Sequence, residues 1–481
     1  MNYSLIVKTI GKIIMVESGL MVIPFAIALW NRDSMQWAFA FSILFTGIFG
    51  FLLSLSKHGT KHLRIIDGMA IVTFGWLFAS IFGALPYFFS GLGLSIIDCL
   101  FESVSGLSTT GATILQRVEM LPDSLLFWRS FTQWIGGMGI LVFTLAFLPA
   151  LEGGSLNVLK AEAAGVMQEK MVPRVKDNAR VLYLTYGVLT ILLTLFLTLG
   201  GMSWFEALLH AFGTVATAGF STRSGGIAEF GNPFIPWIIS VFMLLAGINF
   251  ALLVSMVRGR YKRALQNSEF KFYMSAIGIG TLGVTLSLAL QGSGIFTALR
   301  NGFFLAVSIV TSTGYTTLDI NRMPYFSQAL LFILMFVGGC VGSTGSGVKA
   351  FRGMIIFKLV RREIVKLFHP RSVVPLLVNT KKFNSESIHS VVSFIALYFI
   401  MFMFGALVIS ADNMDLVKSF SASAAALGNV GQSFGFDAVS MNFSSFGTTS
   451  KLVLCLLMLV GRLELFTVLA LLAPRSWKKG T

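Results

Sequence analysis

Four short strings carry the chemistry this chain can do. Ser108-Thr109-Thr110-Gly111-Ala112, Ala216-Thr217-Ala218-Gly219-Phe220, Thr311-Ser312-Thr313-Gly314-Tyr315 and Gly428-Asn429-Val430-Gly431-Gln432 align on their glycines, which lie 108, 95 and 117 residues apart. The residues before the glycines are Thr110, Ala218, Thr313 and Val430, so the side chains share no reactive group. What the copies share is main chain. Carbonyl oxygens gathered around an axis can replace the hydration shell of a small monovalent cation, and glycine lets the backbone turn them inward without a Cβ clash. One competing motif is present: Gly431-Gln432-Ser433-Phe434-Gly435 matches the G-x-S-x-G elbow of serine hydrolases. That motif needs a preceding strand, a histidine and an acid, whereas here it coincides with the fourth of the aligned strings. An intramembrane hydrolase is therefore the remote alternative, and the chain is not read as an enzyme.

The elements that must position these strings are membrane helices. The 481 residues are 55% hydrophobic and 12% charged, against roughly 25% charged in soluble domains. Apolar runs long enough for a hydrocarbon core of ~30 Å cover 5–29, 36–56, 66–90, 125–149, 181–201, 233–257, 270–292, 325–360, 384–411 and 448–473, which makes ten spans. Each string sits between two spans and follows a weakly polar stretch rich in Ala, Ser and Phe, so the repeating unit is span, half-helix, polar turn, span. Irregular backbone persists at membrane depth only where protein buries it or water wets it. Four such turns in one chain therefore converge on one wet axis. The predicted fold is an all-α integral membrane protein with four span-loop-span repeats in pseudo-fourfold arrangement around one pore, plus two N-terminal helices.

The expected organisation is a two-helix extension (1–64), repeat one (65–151), a cytoplasmic loop (152–180), repeat two (181–257), repeat three (258–370), repeat four (371–473) and a cytoplasmic tail (474–481). The net charge of +15 raises the question of nucleic acid. If the amino terminus is cytoplasmic, 27 of the 36 Lys and Arg fall in inner loops, nine of them between Lys349 and Lys382. That is the positive-inside bias; it accounts for the charge through orientation, with both termini cytoplasmic and the half-helices entering from the outer face. Lipid is the expected surrounding and nucleic acid is excluded. Cys99, Cys340 and Cys455 show no C-x-x-C spacing, so neither a disulfide framework nor a zinc site is indicated.

Asp98 and Glu206 each stand 13 residues before a filter glycine, where an acid at a helix N-terminus meets free N–H groups. The other, negative end of such a half-helix then points at the middle of the pore. Asn301 and Lys418 occupy the same register in the other two repeats, so this role is not uniform. Glu102 is placed to bond the filter backbone from behind or to serve as an interfacial carboxylate. Repeat three is anomalous: Gly338, Gly339, Cys340, Val341, Gly342, Ser343, Thr344, Gly345, Ser346 and Gly347 interrupt its second span, with Lys349 following. Five glycines in ten residues, at about 1 kcal/mol each relative to Ala, do not make a stable helix. A loop at membrane depth below the filter is expected. Repeat four carries Arg462 and Glu464 in an otherwise apolar span, at an insertion cost of about 2.5 to 3.5 kcal/mol for a charge at the bilayer centre. Asn249 is a polar residue in the apolar span of repeat two, read as an interhelical hydrogen-bonding residue, with pore lining the alternative.

The four T-x-G-type turns in register, with the glycine-rich interruption in repeat three, resemble the potassium transporter superfamily of Trk, Ktr and plant HKT proteins. The TrkH/TrkG branch is nearest because two spans precede the first repeat. The resemblance covers nearly the whole chain. It implies potassium uptake across a bacterial inner membrane, with the ion, or its analogue rubidium, coordinated by carbonyls of Thr109, Thr110, Gly111, Thr217, Ala218, Gly219, Ser312, Thr313, Gly314, Asn429, Val430 and Gly431. No cofactor is implied. It further implies that the 338–347 loop gates the pore, that Arg462 reaches below the filter and touches this loop, and that the protein is a homodimer controlled by a cytosolic nucleotide-binding ring similar to TrkA. Family members with Ser at the first filter glycine tend toward sodium, so Gly111 points to potassium. A sodium-permeable or cation-coupled symporter of the same fold is the alternative.

Overall fold

The computed structural model describes residues 1–56, 65–139, 175–372, 374–379, 381–383, 385–435 and 442–472. The expected cytoplasmic tail (474–481), most of the expected 152–180 loop and residues 140–149 of the 125–149 run lie outside these residues. The described chain is helical apart from turns and one small hairpin pairing Leu377–Val378 with Lys381–Lys382. Among the described residues, six helices are long and apolar enough to cross a membrane: Tyr3–Asn31, Gln36–Ser54, Ile66–Phe88, Val181–Leu199, Ser268–Leu290 and Ser385–Ser410. The first two are the leading helices and the others open the four repeats. Tyr3–Asn31 and Gln36–Ser54 cross closely where Gly11 faces Gly50; a Cβ on Gly11 would stand 2.7 Å from the Gly50 carbonyl oxygen. Small residues are what permit that approach.

Each repeat then sends in a half-helix: Ile96–Leu107, Trp204–Val215, Ile295–Val310 and Leu416–Leu427. At 1.5 Å per residue, 12 residues span about 18 Å, roughly half a hydrocarbon core. The first has a complete capping box in which Ser95 and Asp98 satisfy each other's backbone N–H groups. In the second, Ser203 caps Glu206, whose carboxylate pairs with Arg223 at 3.1 Å. Asn301, in the same register of repeat three, is buried and takes a hydrogen bond from Thr317 at 3.2 Å.

The closing spans depart from expectation. Runs 233–257 and 448–473 read as continuous, and only repeat three was expected to break. Instead Phe234–Ala246 and Phe250–Val257 meet at 108°, and Thr448–Leu463 and Leu465–Leu471 at 110°. In repeat one Asp123–Gly137 also ends at a left-handed glycine, Gly139 (φ 71°). The breaks are invisible to hydropathy because they are made by backbone and hydrogen bonds. Asn249 leaves the helix, accepts from the Ala251 and Leu252 N–H groups to start the next one, and donates to the Val341 carbonyl at 2.7 Å. It is a helix cap tied to the loop of repeat three. Glu464 adopts φ 61° at the other break, with its carboxylate held by Arg352 at 2.5 Å.

Candidate ion-conduction site

All four half-helices end alike. The N–H of Thr110 returns to the Ser105 carbonyl at 2.9 Å and that of Thr109 to Gly106 at 3.1 Å; Ala218 and Thr217, Thr313 and Ser312, and Val430 and Asn429 repeat the pair of bonds with their own helices. This is the Schellman closure, which needs a left-handed residue just past the helix. Glycine usually supplies it. Here Thr109, Thr217, Ser312 and Asn429 take φ between 51° and 58°, at a cost of about 1–2 kcal/mol each. Two residues on, Gly111, Gly219, Gly314 and Gly431 are left-handed again, φ 72–81°. Each string thus alternates hand, an arrangement that swings successive carbonyls to one side.

The strings form a closed ring in chain order. A Cβ added to Gly111 would overlap the Ala218 carbonyl oxygen; on Gly219 it would overlap that of Thr313, on Gly314 that of Val430, and on Gly431 that of Thr110. The same contact recurs four times and returns to its start. Asn429 reinforces the last junction, donating to the Thr110 hydroxyl at 2.9 Å and to the Met458 carbonyl at 2.8 Å.

Behind the ring lies a buried ion pair. Arg129 meets Glu102 at 2.6 Å, both side chains at most 3% exposed. Glu102 accepts from the Ile114 N–H at 3.1 Å and the Thr113 hydroxyl at 3.0 Å, just past Gly111. Arg129 also donates to the Ser221 carbonyl at 3.0 Å and lies over the Phe220 ring at 3.6 Å. One guanidinium therefore braces strings one and two together. Arg129 is a residue to which the four aligned strings do not point. The signal that could have found it is an arginine and a glutamate at similar membrane depth, which are costly unless paired. Glycines also bring these elements close: a Cβ on Gly136 would overlap the carbonyl of Leu107, and one on Gly461 that of Leu427.

Below the ring lies the loop between Tyr325–Leu334 and Ala350–Phe368. Thr344 donates to the Val215 carbonyl at 3.0 Å, Ser346 N–H donates to the Ser312 hydroxyl at 2.9 Å, and a Cβ on Gly345 would meet the Thr311 carbonyl oxygen at 3.1 Å. Gly347 lies against Gly428. The loop thus touches the inner ends of half-helices two, three and four. Gly338, Gly342, Gly347 and Lys349 are left-handed, and the Lys349 ammonium donates to the Gly345 carbonyl. Glu269 accepts from Val341 N–H at 2.7 Å. Cys340 N–H donates to the Gly247 carbonyl at 2.9 Å, tying the loop to the break in repeat two.

Arg462 reaches this loop. Its guanidinium donates to the Thr344 carbonyl at 3.0 Å and the Ser346 hydroxyl at 2.9 Å, and to the Gly136 and Gly137 carbonyls at 2.6 and 3.0 Å. The Glu464 carboxylate faces Arg352, itself stacked on Phe394 at 3.8 Å. Ser433 of the hydrolase-like string is buried with its hydroxyl on Ser421 at 2.7 Å, an environment of packing and not of nucleophile activation.

A chain of half-helices whose C-termini close a ring of main chain at membrane depth belongs to the class of multi-pass cation transport proteins. The comparisons narrow this. The sequence pattern of the TrkH family, described as cation transport protein, matches residues 34–479. The chain is 36% identical to the Trk system potassium uptake protein TrkH of Salmonella typhimurium over all of both chains, and 33% identical to TrkG of Escherichia coli over 97% of each. Its fold matches the crystal structure of the potassium transporter TrkH from Vibrio parahaemolyticus with a TM-score of 0.89 at 32% identity, covering 99% of this chain and 100% of that one. The chain belongs to the TrkH family of cation transport proteins, a family of transporters and not of enzymes.

Proposed function

We propose that this protein takes up potassium through a filter made of the carbonyls of 109–111, 217–219, 312–314 and 429–431. The observation that carries this reading is the fourfold glycine-to-carbonyl ring, in which each glycine must lack a Cβ to let its neighbour's oxygen in. The half-helices bring their partial negative ends to that ring, where they stabilise a dehydrated cation. The relatives are named as potassium uptake proteins, which agrees with glycine rather than serine at position 111.

Gating is assigned to the 338–347 loop with Lys349 and Arg462. The loop lies under the filter with contacts to three half-helices, and the fixed charge of Arg462 next to it raises the barrier to a cation leaving inward. The repeat boundaries follow the span-loop-span units at 65–151, 181–257, 258–370 and 371–473, behind a leading pair of helices. Both termini are assigned to the cytoplasm, which the distribution of Lys and Arg supports; a bacterial inner membrane is assigned on the likeness to the bacterial Trk relatives. Assembly as a homodimer on a cytosolic nucleotide-binding ring similar to TrkA completes the reading; the relatives' designation as a Trk system supports a partner. Uptake of labelled potassium, rubidium and sodium by proteoliposomes tests the filter. Saturable uptake of potassium and rubidium over sodium supports it; equal uptake of all three refutes it.

A further inference from the structure

The second filter string lacks a support that two others have. Six residues before their glycines, Ser105 and Ser308 send a hydroxyl to the carbonyl just after the glycine: Ser105 to Ala112 at 2.5 Å, Ser308 to Tyr315 at 2.8 Å. Repeat two has Gly213 in that register, and no side chain can reach across. The space is filled from elsewhere. A Cβ on Gly213 would stand 2.6 Å from the Tyr315 hydroxyl and 3.0 Å from the Gln133 amide oxygen. Both groups grip string two. Tyr315 donates to the Phe220 carbonyl at 3.0 Å; Gln133 donates to the Ala218 carbonyl at 2.8 Å and accepts from the Phe220 N–H at 3.3 Å. Gln133 comes from repeat one and Tyr315 from repeat three, and both are buried.

We propose that Gln133 and Tyr315 are positioning residues for ion selectivity, performing for string two from its neighbours what Ser105 and Ser308 perform within their own repeats. Together they hold the peptide groups on both sides of Gly219. A carbonyl oxygen has two lone pairs, so the Ala218 oxygen can take the Gln133 amide on one and keep the other for a cation. That oxygen is also the one against which Gly111 packs, so a shift in string two moves the ring contact with string one. Two side chains from outside the repeat, through three hydrogen bonds, thereby make the second quadrant dependent on its neighbours' geometry.

This inference rests on the filter reading, and the test separates the two. The full-length protein is reconstituted and its rubidium-to-sodium uptake ratio measured for wild type, Tyr315→Phe, Gln133→Met and the double variant Gly213→Ser with Tyr315→Phe. Removing the phenol hydroxyl leaves the Phe220 carbonyl unpaired and frees the space a serine at 213 would occupy. Tyr315→Phe is expected to lower the ratio roughly three- to tenfold, the scale of one lost buried hydrogen bond, and Gln133→Met to lower it as well. The double variant is expected to recover the ratio, its new hydroxyl taking the place that Ser105 and Ser308 hold elsewhere. An unchanged ratio in Tyr315→Phe, or a double variant as unselective as the single one, overturns the proposal while wild type still discriminates. A merely structural role would lower melting temperature without moving the ratio. A wild type with no discrimination defeats the filter reading itself.

Discussion

The side-chain amide of Asn429 donates to the hydroxyl of Thr110 at 2.9 Å across 319 residues of chain. It joins the last repeat to the first and closes a circuit that the four glycine contacts trace in order. The fourth string is the least like the others in sequence, and it carries the bond that seals the ring. Its asparagine combines two properties the position needs, tolerance of the left-handed backbone and a side-chain donor.

Replacing Gly111 by Ser places a side chain where the Ala218 carbonyl oxygen already sits. The backbone there is left-handed at φ 81°, a conformation that costs a non-glycine residue about 1–2 kcal/mol. String one must move away from string two, widening the ring. Gly111→Ser is expected to raise sodium permeability relative to potassium in a flux assay; an unaltered ratio in folded protein would contradict the shared filter.

Glu102 is the buried partner of Arg129. Glu102→Gln leaves the guanidinium without its counter-charge, and breaking such a buried pair typically costs ~3–5 kcal/mol. A lowered melting temperature of the detergent-solubilised protein is the expected result, with loss of selectivity in what remains folded because Ile114, Ser221 and Phe220 lose a common brace. A variant as stable and selective as wild type would show the pair to be idle.

Arg462→Ala removes four donated hydrogen bonds at the loop and at the end of Asp123–Gly137, along with the charge below the ring. Basal potassium flux is expected to rise about tenfold, equivalent to ~1.4 kcal/mol of barrier. Lost folding with no gain in flux would assign Arg462 to structure alone.

Shortening the loop between Gly338 and Gly347 should raise basal flux as well. The structure adds a qualification to where the cut falls. Thr344 and Ser346 hold the ends of half-helix two and string three, so a deletion that removes them weakens the filter together with the gate. A deletion confined to 341–343 spares both residues, and the expectation is increased flux with selectivity kept. A deletion without effect on flux, measured as tracer uptake, would exclude this segment as the barrier.

The ring was legible in the sequence because four glycines fall in register between apolar runs, a pattern that needs no knowledge of tertiary contacts. So was the unwound stretch of repeat three, whose glycines cannot sustain a helix; the reach of Arg462 to that loop came from the family resemblance, its charge alone saying only that it needs partners. The bends at Gly247–Asn249 and Arg462–Glu464 were not. Hydropathy averages side chains and is blind to the left-handed turn of Glu464 or the cap made by Asn249. Gln133 and Arg129 were also missed. Their partners on string two lie 85 to 92 residues away in the chain, and a glutamine in an apolar span has many innocuous readings. What periodicity reveals is the repeat; what it hides is how each repeat leans on the next.

The central claim, that main-chain oxygens of four dissimilar strings form one cation filter, is tested most directly by tracer uptake into proteoliposomes holding the purified chain, with potassium, rubidium and sodium each offered separately. Saturable uptake of potassium and rubidium, little sodium uptake, and loss of that discrimination in Gly111→Ser are predicted. Equal permeation by all three ions, or discrimination that survives Gly111→Ser intact, would contradict it.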